Sequence, residues 1–182
     1  MSVTYLEAIR AAQEKALRED PRVFIYGQDV GEFGGAFKAT KNLAKLFPGR
    51  VLDSPISEDA IVGVAVGAAI EGMRPIVEMQ YADFSTCGFN QIVNQAATLF
   101  YRTGVKCPIV IRMPSGGTAG AGPFHSQSME AIYAHYPGLI IMTPGTVEDA
   151  YSMLLEAVQI EDPVLFFEHK FLYYHLKAPA LP

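Results

Sequence analysis

The sequence predicts an α/β fold: a doubly wound, mainly parallel sheet with helices on both faces. Three observations carry this. Short, continuously apolar runs recur along the chain, the pattern of strands covered on both faces. Stretches with helical spacing of apolar residues separate them, so strands and helices alternate. The 182 residues are 50% hydrophobic and 18% charged, enough to bury a full core in one domain.

The elements follow in order. Thr4-x-x-Glu7 reads as a capping box opening a helix to about Leu17, with Leu6, Ile9, Ala12, Ala16 and Leu17 on one face; Asp20-Pro21 ends it. Val23–Tyr26 is the first strand, followed by the glycine-rich loop Gly27–Gly35 and a helix over about Lys38–Phe47. Val51-Leu52 starts the next strand, and Ser54–Ala69 supplies a loop and a helix. Pro75–Met79 reads as strand, Phe84–Tyr101 as helix and Pro108–Arg112 as strand. The loop Pro114–Ser128 leads to a short helix near Glu130–His135; then come strand Leu139–Met142, a helix capped by Thr146 and reaching Val158, and strand Val164–Phe167. No internal linker interrupts the pattern. In such sheets ligands collect beyond the carboxyl ends of the strands, where these loops lie.

Composition excludes several function classes. The net charge is −5 with Lys and Arg scattered, so nothing attracts a nucleic-acid backbone. Charges, Gly and Pro interrupt every apolar run before it reaches bilayer length. The first fifteen residues lack a secretory apolar region and the look of a transit peptide, so a soluble protein that works where it is made is expected. Cys87 and Cys107 have no CxxC or Cys/His spacing and are expected to be reduced, buried thiols.

Two glycine clusters, Gly31–Gly35 and Gly116–Gly122, fit no phosphate-binding motif; close backbone approach or a mobile loop accounts for them better. No serine sits in a GxSxG elbow. His125 follows the second cluster at an expected helix start; a lone loop histidine is more often structural than catalytic. Glu58 and Asp59 head a helix whose body, Ala60–Ile70, is uniformly small and apolar. Acids are favoured at the positive helix end, and Ser57 can cap it. That does not explain the apolar body, which implies a helix buried all round, in part against a second chain, with Gly63 and Gly67 permitting close contact. Burial would raise the Glu58 pKa towards useful proton exchange while the helix dipole opposes it. The residues alone therefore yield a candidate acid/base carboxylate in an α/β protein.

The order of motifs is more specific. Ser54-Pro-Ile-Ser-Glu58 follows a strand; then come Arg74-Pro75-Ile76, Glu78–Phe84, Pro108–Arg112, Phe124-His-Ser-Gln-Ser128, Ala134–Gly138 and Phe166–Tyr173. From end to end this resembles the beta subunit of the decarboxylating component of 2-oxoacid dehydrogenase complexes. His125–Ser128 and Phe166–Tyr173 lean towards the branched-chain (2-oxoisovalerate) type over the pyruvate type, and the acetoin dehydrogenase beta subunit is a close relative.

The resemblance implies a pyrimidine-binding, transketolase-like domain over residues 1–172, with residues 173–182 starting an interdomain linker and the family's C-terminal domain absent. It implies thiamine diphosphate, with Glu58 on a ring nitrogen of the aminopyrimidine, Phe84 stacked on that ring, and Ile56 and Gln80 as further contacts. His125 matches a loop histidine that assists acyl transfer to a lipoyl group. A structural potassium ion is implied at Ile109, Ala157, Val158, Ile160 and Asp162, although Asp162 stands where the family has asparagine and Ile160 where aspartate is common. The family's Gly-Asp-Gly…Asn motif for diphosphate and magnesium has no match here; in the family it lies on an alpha subunit, in an alpha2beta2 assembly. The partners implied are that alpha subunit, the lipoyl acyltransferase core and a 2-oxoacid substrate. The location implied is the bacterial cytoplasm, or the mitochondrial matrix in a eukaryote, and the chain alone is expected to be inactive. The alternatives within the class are a pyruvate or acetoin dehydrogenase beta subunit and a transketolase-like enzyme; outside it stands a non-catalytic assembly domain.

Overall fold

The computed structural model describes residues 2–182. Six parallel strands form one sheet: β2 (Val23–Gly27), β3 (Val51–Asp53), β4 (Arg74–Glu78), β5 (Val110–Ser115), β6 (Ile140–Met142) and β7 (Val164–His169). Their spatial order is β3-β2-β4-β5-β7-β6. The chain leaves β2 for β3 on one side and returns to β4 on the other, so the winding direction reverses between β2 and β4. That reversal opens a crevice at the carboxyl end of the sheet.

Helices cover both faces, as the apolar strands require. On one face α1 (Tyr5–Glu19) and α6 (Val147–Gln159) pack together and bury Ile9, Ala12, Leu17, Ala150 and Leu154 against Ile25, Ile76 and Phe166. Thr4 closes a full capping box with Glu7, and Thr146 caps α6 through the Asp149 amide. On the other face α3 (Glu58–Ile70) and the stretch leading into α4 (Ala97–Thr103) bury Ile61, Val62, Val66, Ile92 and Leu99 against Val77, Ile111 and Leu165. Among the described residues no helix is long and apolar enough to cross a membrane.

The structure corrects four expectations. The helix over 38–47 shrinks to α2 (Leu43–Leu46), because Lys38 and Asn42 adopt left-handed backbone that breaks a longer helix. The helix over 84–101 divides into a 3-10 turn at Ala82–Thr86, a π-helical stretch at Gln91–Ala96 and α4. Cys87 ends the 3-10 turn and is exposed; Cys107 is buried, and burial pushes its thiol up to about 12. Finally, α3 is not buried all round: Ala60, Val64 and Ile70 face outwards, with Val64 47% and Ile70 46% exposed.

Near the termini, β1 (Val3–Thr4) pairs antiparallel with β8 (Lys177–Ala178). Between them in the chain, α5 (Glu130–Tyr133) follows the long loop, and α7 (Leu172–His175) follows β7 and buries Tyr173.

Inside the sheet lies an ion cluster. Arg112 is fully buried and donates from Nε and Nη2 to the two Glu168 oxygens at 2.6 and 2.7 Å, and from Nη1 to Glu78 Oε2 at 2.5 Å. Its Nη1 also reaches Gln13 Oε1 at 3.3 Å, and Tyr173 donates to Glu168 Oε2 at 2.6 Å. Burial works to lower the Arg112 pKa, but the Glu168 and Glu78 carboxylates win and hold it above its ordinary value. Such a cluster is costly to desolvate; Arg112 and both Glu168 oxygens are paired within it, whereas Glu78 Oε1 has no partner among the described residues.

Candidate functional site

The crevice between β2 and β4 is lined by loops from four strand ends. Gln28, just past β2, is buried and donates from Nε2 to Glu58 Oε1 at 3.2 Å. Asp29 accepts from Gln80 Nε2 at 3.1 Å, which ties the β2 loop to the segment after β4. After β3 the chain runs Ser54–Ser57 into α3, and Ser57 caps that helix by accepting from the Ala60 amide at 3.4 Å. Glu58 is thereby the first helical residue, half-buried, where the helix presents free amides and positive dipole charge. Among the described residues its second oxygen, Oε2, takes no hydrogen bond.

Phe84 arrives on the 3-10 turn after β4. That turn is pressed onto α3: a Cβ on Gly88 would stand 3.0 Å from the Glu58 carbonyl oxygen and 3.3 Å from Val62 Cγ2. A larger residue would force its neighbours to give by a few tenths of an ångström, so glycine suits this approach of the segment after the Phe84 turn to the helix that carries Glu58. Ile56, in the β3–α3 loop, is 86% exposed, an apolar side chain held out at the strand ends.

His125 comes from the β5 loop, within a 3-10 turn (Phe124–Ser126) rather than at a helix start. It stacks on Tyr81 with ring centroids 4.4 Å apart and meets Phe84 edge-on at 5.4 Å. Phe84 in turn meets Tyr81 and Phe124 edge-on. An aromatic wall thus runs through Tyr81, Phe84, Phe124 and His125. The residues near this crevice that sequence reasoning missed are Gln28, Asp29, Tyr81 and Asp83.

Together these groups fit a planar, nitrogen-containing heterocycle. A carboxylate has one oxygen free and a primary amide adjacent, and the loops at the same end of the sheet carry an aromatic wall and an exposed aliphatic chain. A thiamine aminopyrimidine meets those demands.

The potassium residues form a different site. Val158 O and Ile160 O both accept from Arg74 Nη1, at 2.8 and 3.2 Å, and Arg74 also pairs with Glu161. Ile109 O accepts from Val164 N and Ala157 O from Ile160 N, while Asp162 is exposed. The Val158 and Ile160 carbonyls thus already serve a cation, the Arg74 guanidinium, while the Ile109 and Ala157 carbonyls accept backbone amides. Among the described residues no group of His, Cys, Asp and Glu is arranged to hold a metal.

Comparison with known proteins gives the family. Residues 1–175 match the family described as transketolase, pyrimidine binding domain. The chain is 51% identical to the 2-oxoisovalerate dehydrogenase subunit beta of Bacillus subtilis, covering 98% of this chain and 56% of that protein. It is 43% identical to the pyruvate dehydrogenase E1 component subunit beta of Rickettsia conorii, covering 96% and 55%. The chain therefore spans about half the length of the curated relatives it matches. A solved split-gene transketolase, described as an inactive beta4 tetramer, superposes with a TM-score of 0.73 at 24% identity over 92% of this chain and 51% of that one, a likeness of fold. A six-stranded parallel sheet whose winding reverses at a carboxylate-and-aromatic crevice, with a family match over nearly its whole length, makes this chain a member of the transketolase pyrimidine-binding domain family.

Proposed function

We propose that this chain forms the beta-subunit half of a thiamine-diphosphate site in a 2-oxoacid dehydrogenase, acting in oxidative decarboxylation of a 2-oxoacid and acyl transfer to a lipoyl carrier. The observation that carries the reading is Glu58: a helix-leading carboxylate, held by Gln28, with one oxygen free at the switch-point crevice. Glu58 would hold a ring nitrogen of the pyrimidine, Phe84 would face the ring, and Ile56 and Gln80 would complete its surroundings. When bound, thiamine diphosphate supplies the nucleophile and electron sink for decarboxylation. The chain's own task is to orient the pyrimidine and to hold or release a proton at Glu58. His125, on the same aromatic wall, would serve the acyl-transfer half.

The diphosphate and magnesium are assigned to an alpha subunit, because this sequence has no Gly-Asp-Gly…Asn motif. The outward apolar face of α3, with Val64 and Ile70, suits contact with such a partner, and α3 also delivers Glu58. The lipoyl acyltransferase core is the downstream partner, and the bacterial cytoplasm or mitochondrial matrix the location. The branched-chain relative at 51% identity favours branched-chain 2-oxoacids, while the pyruvate-type relatives keep pyruvate as the main competitor.

A substrate screen decides between them. The full-length beta subunit is assembled with its alpha partner and supplied with thiamine diphosphate, magnesium and a lipoyl carrier, then offered branched-chain 2-oxoacids, pyruvate and acetoin. Turnover of branched-chain 2-oxoacids with the highest kcat/KM is the expected result. Preference for pyruvate or acetoin would move the assignment within the class; turnover of none would remove it.

A further inference from the structure

Beneath the aromatic wall lies a carboxylate that the proposed chemistry does not use. Asp83 sits within the 3-10 turn after β4 and is buried. Its Oδ1 accepts from the Gln127 backbone amide at 3.2 Å, tying the turn to the His125 loop. Its Oδ2 faces His125 Nδ1 across 3.9 Å. Both atoms are buried, and among the described residues neither has a hydrogen-bond partner. Two buried, complementary, unpartnered groups aimed at one another are unusual, because each alone carries a desolvation cost. Closing the gap to a charge-assisted hydrogen bond takes about 1 Å of travel. The glycine-rich leader of the His125 loop can supply that travel, since nothing crowds Gly120 or Gly122.

We propose that Asp83 is the positioning residue for His125: its carboxylate keeps the imidazole proton on Nδ1 and leaves Nε2 as the working nitrogen at the crevice. The side chain of His125 is 33% exposed although Nδ1 is buried, so the ring edge that solvent reaches lies away from Asp83. The hydrogen bond made by one ring nitrogen fixes the tautomer of a histidine, and the nitrogen that faces the Asp83 carboxylate is Nδ1. Tyr81 stacks on the ring and limits its rotation. The other charged group near this carboxylate is Lys170, which is buried, donates to Pro114 O at 3.4 Å and lies 5.4 Å above the Tyr81 ring. Burial lowers the Lys170 pKa, and the Asp83 and Glu130 carboxylates oppose that. The use made of Nε2 rests on the function proposed above; the pairing of Asp83 with His125 does not.

The test is Asp83→Asn in the full-length beta subunit assembled with its alpha partner, free of cofactor. The Gln127 amide demands an oxygen, so the asparagine Oδ1 stays there and its NH2 turns to His125 Nδ1. The imidazole proton is then driven to Nε2. Diethylpyrocarbonate reacts at an unprotonated ring nitrogen, and its rate at His125 is read by peptide mass spectrometry at about pH 8, above the ordinary imidazole range. His135 and His175 serve as internal references. The expected result is a fall of about tenfold at His125, the equilibrium weight of a charge-assisted hydrogen bond, with the reference rates unchanged. Asp83→Glu, which keeps an acceptor carboxylate, is expected to restore most of the rate. An unchanged rate in Asp83→Asn, or an equal loss in Asp83→Glu, would overturn the proposal. Separately, His125→Ala with unimpaired acyl transfer would remove the role given to His125 and leave the pairing standing.

Discussion

Glu58 and Glu78 lie at the same end of the sheet and have opposite fates. Glu58 leads a helix, is half-buried and keeps an oxygen free. Glu78 ends β4 inside the core, where burial raises its pKa and the Arg112 guanidinium only partly offsets that. The consequence for stability has a definite sign. A carboxyl whose pKa is raised on folding binds its proton more tightly in the folded state, so its contribution is complete below the ordinary value of 4.5 and lost as pH rises through the raised folded value. Stability of the wild-type chain relative to Glu78→Gln is therefore expected to decline from about pH 4.5 upwards, measured by denaturant unfolding at a series of pH values. A difference that stays constant with pH, or grows in favour of wild type, would contradict this. Glu58 was legible in the sequence because an acid at the head of an apolar helix demands a reason. Gln28 was not, since it lies 30 residues away and meets Glu58 only through the parallel pairing of β2 with β3. Asp83 was hidden differently: it lies in the connection just before the helix expected from Phe84, and nothing local says that its carboxylate turns inwards beneath His125.

At the scale of elements, the strands were readable because parallel strands buried on both faces are unbroken apolar runs. Glu78, Arg112 and Glu168 are exceptions near the ends of three runs, and Arg112 pairs with both carboxylates across adjacent strands. The helices were less readable. The 84–101 segment has helical periodicity throughout, yet Gly88 is drawn to within contact of α3 and the turns on either side change pitch. β1 and β8 are two residues each, too short to carry any alternation. The Gly88 contact has a testable consequence. Gly88→Ala pushes a methyl group onto the Glu58 carbonyl and is expected to cost about 1–3 kcal/mol of stability, the range for forced overpacking. It should also weaken cofactor binding in the assembled enzyme, because it separates the Phe84 turn from the Glu58 helix. Unfolding curves and a cofactor titration measure the two effects; wild-type values in both would show that the close approach is dispensable.

As a whole, the molecule is a parallel sheet with a crevice at its switch point, which on the proposed function is half of a site, and with apolar surface on α3. The α3 helix serves both purposes: its inner face packs into the core, its outer face carries Val64 and Ile70, and its first residue is Glu58. A partner seated on that face would border the crevice and close it from water. The most direct test of the account is Glu58→Gln in the full-length beta subunit assembled with its alpha partner, with 2-oxoacid decarboxylation and cofactor affinity measured together. The substitution keeps the shape and the Gln28 contact site but removes the ability to hold and release a proton. A fall in kcat of about a hundredfold or more, with assembly intact and cofactor affinity within about tenfold of wild type, is the expected result. Decarboxylation within about threefold of wild type, less than proton transfer by a positioned group contributes, would contradict the assignment of Glu58.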